Sequence, residues 1–264
     1  MKTIRDWLKN YKIIWGLAKN DFTTRYAGSY FGIVWAFMQP MVMILMYVFV
    51  FQVAFHADPT NGNYPYVLWL VAGLIPWFYF SESVVNATNC FFEYSYLVKK
   101  VVFPISILPV VKIISSLFVH LFFIAFALVI YAVMGKFPGP QFFQIIYYLV
   151  CMIVLSASLA FFTSSIVPFF KDFQPIINII MMVGMWMTPI LWNIETMDLG
   201  WLAYVFKANP MYYIVQGYRE SFMRGFWFWQ HPLQMLGFWI EVALIFLIGA
   251  TSFKKMKPHF ADVL

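Results

Sequence analysis

Charge is scarce in this chain: 11% of its 264 residues are Asp, Glu, Lys or Arg, against about 25% in an ordinary soluble domain. Hydrophobic residues make up 63%, and the mean hydropathy of +0.77 exceeds what a water-soluble core of this length can hide. Cysteine is almost absent. Cys90 and Cys151 fall in different segments, which excludes a disulfide framework and leaves no metal-ligand spacing, so both read as reduced packing residues. The histidines at 56, 120, 231 and 259 are too scattered for a metal site. Also missing are a G-x-x-x-x-G-K-[ST] phosphate loop, an H-E-x-x-H zinc helix and a G-x-S-x-G nucleophile elbow. The chain alone is therefore not expected to hydrolyse ATP, and no catalytic or metal-binding residue is assigned.

Long apolar runs fill most of the sequence. Stretches at 31–55, 66–88, 105–134, 142–170, 176–192 and 233–253 are each long enough to cross a bilayer, which takes roughly 17–25 residues in a helix. Strands of a membrane barrel would alternate apolar and polar side chains over about ten residues, and these runs are continuous. The expected fold is an all-α polytopic membrane protein, a single domain over 1–264 with six transmembrane helices.

Residues 1–28 read differently. Ile4, Trp7, Leu8, Tyr11, Ile14, Trp15, Ala18 and Phe22 recur at helical spacing, with Lys2, Arg5, Lys9, Lys12 and Lys19 among them. That is an amphipathic basic helix suited to an interface. Lacking an apolar h-region after Lys2, Arg5 and Lys9, it does not read as a cleaved signal.

Six spans with both ends on one side place the N-terminal basic residues with Lys99, Lys100, Lys171, Lys254, Lys255 and Lys257, and leave Lys136, Lys207, Arg219 and Arg224 opposite. Both termini are thus expected in the cytoplasm. The net charge of +6 is a topological signal of this kind and implies no nucleic-acid partner.

Between the second and third runs lies a charged island, 90–103, that starts amphipathic, carries Glu93, Lys99 and Lys100, and stops at Pro104. It reads as a short cytoplasmic surface helix on which a partner can push, with Phe91, Phe92, Tyr94, Tyr96 and Leu97 as apolar anchors. Outside the clean spans, 193–231 mixes Trp, Tyr and Phe with Glu195, Asp198, Lys207, Arg219, Glu220 and Arg224, which suits short re-entrant or interfacial helices divided at Asn209-Pro210. Pro76 and Pro189 are expected to kink or break their helices. Glu82, Lys112, His120 and Glu241 are the ionisable residues at membrane depth; functional suspects by type, Glu82 and Lys112 also suit a structural ion pair near the inner ends of their spans.

Taken together, Arg25-Tyr-Ala-Gly-Ser-Tyr-Phe-Gly-Ile-Val-Trp35-Ala-Phe-Met-Gln-Pro40, Leu97-Val-Lys-Lys-Val-Val-Phe-Pro104 and Asn209-Pro-Met-Tyr-Tyr-Ile-Val-Gln-Gly-Tyr-Arg219-Glu220 resemble the ABC-2 permeases, the membrane subunits of bacterial ABC-type polysaccharide exporters. The likeness covers essentially the whole chain. It departs at Lys171-Asp172, where that family more often has Arg, and Lys lacks the bidentate fork.

The resemblance implies a bacterial plasma-membrane homodimer working with two copies of a separate ATP-binding subunit. That subunit would carry the ATP and Mg, and this chain no cofactor. The island becomes the coupling helix, and the cargo a lipid-linked glycopolymer moved from the inner to the outer leaflet. The overall run is most similar to the wall teichoic acid permeases, which favours a polyprenyl-diphosphate-linked teichoic acid; the alternative is O-antigen or capsular polysaccharide, then a small-molecule efflux pump or a secondary carrier. Trp15, Arg25, Tyr26 and Trp35 are expected where substrate enters, and Tyr212, Tyr213, Arg219 and Glu220 at an outer gate.

Overall fold

The computed structural model describes residues 7, 9–57, 63–99 and 103–263, without the side chains of residues 261 and 262. Lys2, Ile4, Arg5, Leu8 and Lys100, and loop positions 58–62, lie outside the described residues. Among the described residues every regular element is helical, and five helices are long and apolar enough to cross a membrane.

The first helix with a full range among the described residues, α1 (Tyr11–Arg25), passes through a turn, with Gly28 and Gly32 at positive φ, into α2 (Val34–Tyr47). A π-helical stretch, Val48–Ala54, extends α2 to spanning length. At the centre stands α3 (Tyr66–Thr88), apolar all round, with Leu68, Leu70, Val71, Ala72 and Leu74 fully buried. It runs through Pro76 unbroken.

Two four-residue turns follow, α4 (Cys90–Glu93) and α5 (Ser95–Val98), then α6 (Leu108–Val133) and α7 (Ile145–Ile166), each entered through a short 3₁₀ turn. The single helix expected over 90–103 is therefore two turns bent at Tyr94, whose φ of −106° and ψ of 28° leave the helical region.

The fifth expected span is also corrected. In place of a helix over 176–192 stands α8 (Phe173–Met187), of 15 residues. At about 1.5 Å per residue it is shorter than a hydrocarbon core of about 30 Å. Pro189 sets the limit: the residue before a proline is driven out of the α region, and Thr188 is extended at φ −94°, ψ 119°.

Residues 193–231 form α9 (Leu202–Lys207), α10 (Pro210–Phe222) and flanking 3₁₀ turns. As expected, Asn209-Pro210 divides α9 from α10. The Asn209 side chain accepts from the Met211 amide at 3.0 Å, and the proline sits where its missing N–H is harmless.

The chain closes on α11 (Pro232–Met256), a 3₁₀ turn and α12 (Phe260–Val263). Helix α11 lies along α7 and touches it at Gly249, where a Cβ would stand 2.6 Å from the Ser158 carbonyl oxygen; small residues permit this approach. Leu233, Leu236, Ile240, Leu244 and Leu247 leave its other side apolar and exposed, as lipid contact requires.

Candidate functional site

At one end of the bundle, α1 turns Ile14, Ala18 and Asp21 inward together, because positions i, i+4 and i+7 share a helix face. Ile14 and Ala18 pack on Ile107 and Val111, which carries Asp21 into the space between α6 and the 90–99 turns. There Asp21 Oδ1 accepts from the Tyr94 hydroxyl at 2.8 Å and from Lys112 Nζ at 2.5 Å, while Oδ2 accepts from Arg25 Nη2 at 2.9 Å. Arg25 Nη1 donates to Glu82 on α3, and Lys112 donates a second time to Glu93 on α4.

Two cations, from α1 and α6, thus serve three carboxylates, from α1, α3 and α4. Burial raises the Asp21 carboxyl, but the Lys112 hydrogen bond and charge, with Ser115 and Arg25, outweigh it and hold the group below its ordinary value. Burial works against the charge of Arg25, and Glu82 with Asp21 overcomes it, so the guanidinium is held more firmly protonated. Glu82 and Lys112 make no ion pair with each other here: Glu82 takes Arg25, and Lys112 takes Asp21 and Glu93.

The turns at 90–99 are sided. Phe91 is buried against the Phe253 and Phe260 rings at 6.0 and 4.8 Å, and Leu97, Val98 and Tyr94 share that cluster with Trp7. Phe91, Tyr94 and Leu97 therefore face the chain's own core and are not surface anchors. Outward stand Tyr96, 58% exposed, with Glu93 and Lys99; Phe92 is half-buried, with Lys171 Nζ 5.7 Å from its ring centroid. Lys100, expected beside them, lies outside the described residues.

A cavity of about 770 Å³ opens between α2, α3 and α8. Arg25, Tyr26 and Trp35 line it, as do Gln39, Glu82, Asn86, Asn178, Trp77 and Trp186, so three of the four residues expected where substrate enters come together. Trp15 does not join them. It sits in a separate apolar groove with Tyr11, Lys12, Val110 and Ile114, its ring 5.4 Å from Phe118.

The four residues expected at an outer gate part ways. Arg219 is buried, donating to the Pro189 and Ile190 carbonyls at 2.9 and 2.8 Å and lying 3.4 Å from the Trp69 ring centroid. It pins the chain break after α8 onto α3, a structural post. Tyr213 meets the Tyr147 hydroxyl at 3.2 Å, and Tyr212 and Tyr213 border a small cavity of about 110 Å³ shared with Lys207 and Glu241. Glu220 lies 4.0 Å from His231 Nε2. His120 bonds the Tyr218 hydroxyl at 2.9 Å inside the core. Among the described residues no group of His, Cys, Asp and Glu is arranged to hold a metal ion.

Sequence reasoning overlooked Asp21 altogether. The available signal was a lone acid in register with the buried stripe Ile14 and Ala18.

Residues 13–223 match the model of the ABC-2 type transporter family. The chain is 25% identical over 251 residues to an O-antigen export system permease of Klebsiella pneumoniae, covering 94% of this chain and 93% of that one. It is also 25% identical to an O-antigen export system permease of Myxococcus xanthus, covering 99% of each. A polysialic acid transport protein of Escherichia coli is 21% identical, over 78% of this chain and 79% of its own length.

Proposed function

From the premise that this chain belongs to the ABC-2 type transporter family, we propose that it is the permease subunit of a bacterial exporter of lipid-linked polysaccharide. Its relatives are transport subunits of O-antigen and polysialic acid systems, which favours O-antigen or capsular polysaccharide over the teichoic acid suggested by the run of the sequence. The observation that carries the reading is the cavity between α2, α3 and α8, lined by Trp and Tyr rings and by Gln39, Asn86 and Asn178. Aromatic faces and amide groups of this kind suit the stacking and hydrogen bonding of sugars.

The exporter is a homodimer with two ATP-binding subunits. Exposed apolar residues of α2 (Val34, Met38, Val42, Met46) and α8 (Ile176, Ile179, Val183), two of the helices that border the cavity, suit a second copy. The 90–99 turns, with the chain ends around Trp7 and Phe260 beside them, face the cytoplasm and receive the ATP-binding subunit on Phe92, Glu93, Tyr96 and Lys99. Helix α10 enters the membrane from the outer side as a re-entrant helix.

The test is reconstitution with the partner ATPase and a polyprenyl-diphosphate-linked O-antigen. ATP-dependent appearance of glycan outside the vesicle is expected, together with labelling of Lys99→Cys from the cytoplasmic face alone. Movement driven by this chain without the ATPase overturns the reading.

A further inference from the structure

Arg25 is held on two sides. Its Nη2 donates to Asp21 at 2.9 Å and to Ser115 Oγ at 3.3 Å, and its Nη1 donates to Glu82. Arg25 and Glu82 also line the large cavity together. Asp21 faces away from that cavity, toward Tyr94 and Lys112, and Lys112 continues to Glu93. A single guanidinium therefore stands between an open cavity and a buried carboxylate tied to the 90–99 turns.

The two carboxylates that hold Arg25 are not equivalent. Asp21 is 5% exposed and accepts from three donors. Glu82 opens to the cavity. A guanidinium pairs with carboxylate or phosphate through the same parallel N–H fork, so an anion arriving in the cavity can replace Glu82 but not Asp21. Charge points the same way: with three carboxylates already on two cations, a further anion is tolerated only where a carboxylate lets go.

We propose that Arg25 binds a lipid-borne phosphate or diphosphate, that Glu82 is its resident competitor, and that Asp21 is the positioning residue that passes the exchange to the 90–99 turns. Drawing Arg25 toward the cavity leaves Asp21 to lean on Lys112, which loosens Lys112 from Glu93 and releases the turn. The proposal deepens the export reading and rests on it for the coupling step; the binding step stands on the geometry of Arg25 and Glu82.

Binding is tested on the full chain in phosphatidylcholine nanodiscs, with a short-chain polyprenyl diphosphate and, separately, phosphatidylglycerol as probes, read by native mass spectrometry. Glu82→Gln is expected to retain the phosphate lipid about tenfold more strongly, and Arg25→Gln to lose it. Unchanged or weakened retention in Glu82→Gln overturns the proposal, because a merely structural ion pair suffers from either substitution. A rise with the polyprenyl diphosphate alone assigns the site to the cargo carrier; an equal rise with phosphatidylglycerol assigns it to a membrane headgroup.

Transmission is tested with the ATPase partner present. Asp21→Asn, checked for folding by its melting temperature and compared with the parent chain at lipid concentrations that saturate each, should hydrolyse ATP at a rate indifferent to the lipid. Lipid-dependent hydrolysis that survives in Asp21→Asn removes Asp21 from the relay. A parent complex whose hydrolysis ignores the lipid overturns the export reading and the relay, while the binding comparison still decides the Arg25 site.

Discussion

Asp21 Oδ1 and Lys112 Nζ lie 2.5 Å apart across 91 residues of chain, both side chains buried, at the junction of the amphipathic helix with the third long helix. A surface helix held only by lipid contact has no need of a buried ion pair. Here the charge fixes α1 to α6 and, through the Tyr94 hydroxyl at 2.8 Å and through Glu93, to the turns between the second and third long helices.

Lys112→Met leaves Asp21 buried without its nearest cation, and removing one partner of a buried pair costs about 3–5 kcal/mol. The double variant Asp21→Asn with Lys112→Met should lose clearly less than the sum of the singles in thermal unfolding. Strict additivity would show that the two groups are not coupled.

Acidification should act through the same carboxylate. Because the folded-state pKa of Asp21 is depressed, its contribution is fully present above the unfolded value near 3.9 and is lost as pH falls through the lower folded value. The melting-temperature gap between parent and Asp21→Asn should be widest at neutral pH and close below about pH 4. A gap that stays constant as pH falls well below about 4 contradicts the assignment.

Two aromatic residues of the same turns should behave oppositely. Phe91 is fully buried against Phe253 and Phe260, so Phe91→Ala should destabilise the chain by about 3–5 kcal/mol. Exposed Tyr96 should tolerate Ala within about 0.5 kcal/mol of the parent stability, while pull-down of the ATP-binding partner weakens by about 1 kcal/mol or more. Equal partner binding by Tyr96→Ala and the parent removes Tyr96 from the docking surface.

Gly217 allows α10 to lie on α7: a Cβ there would stand 2.0 Å from the Tyr148 ring. Gly217→Ala should cost about 1–3 kcal/mol through overpacking, and Tyr148→Ala in the same chain should recover part of the loss. Additive losses on melting would place the strain elsewhere.

Much of this architecture is legible in the sequence because lipid imposes a length and a hydropathy on each span. The break at Pro189 and the cap at Asn209 follow from local backbone chemistry, and both appear where the residues put them. Arg25, Tyr26 and Trp35 border one cavity. What stayed hidden depends on partners distant in sequence. Asp21 gains its meaning from Lys112 and Tyr94, and nothing within its own turn announces them. The sidedness of the island was open to reading: Phe91, Tyr94 and Leu97 recur at intervals of three and turn inward, whereas Phe92, Tyr96 and Lys99 follow the other side. Composition alone treats all these aromatics as one set.

The packing around Phe91 also orders events in time. Its neighbours Phe253 and Phe260 are made long after it during synthesis, so the packing beneath the 90–99 turns, begun by Ile105, Leu108 and Phe161, is completed only when the last long helix arrives. The outward side of those turns, Tyr96 and Lys99 included, is then among the last surfaces of the molecule to be fixed.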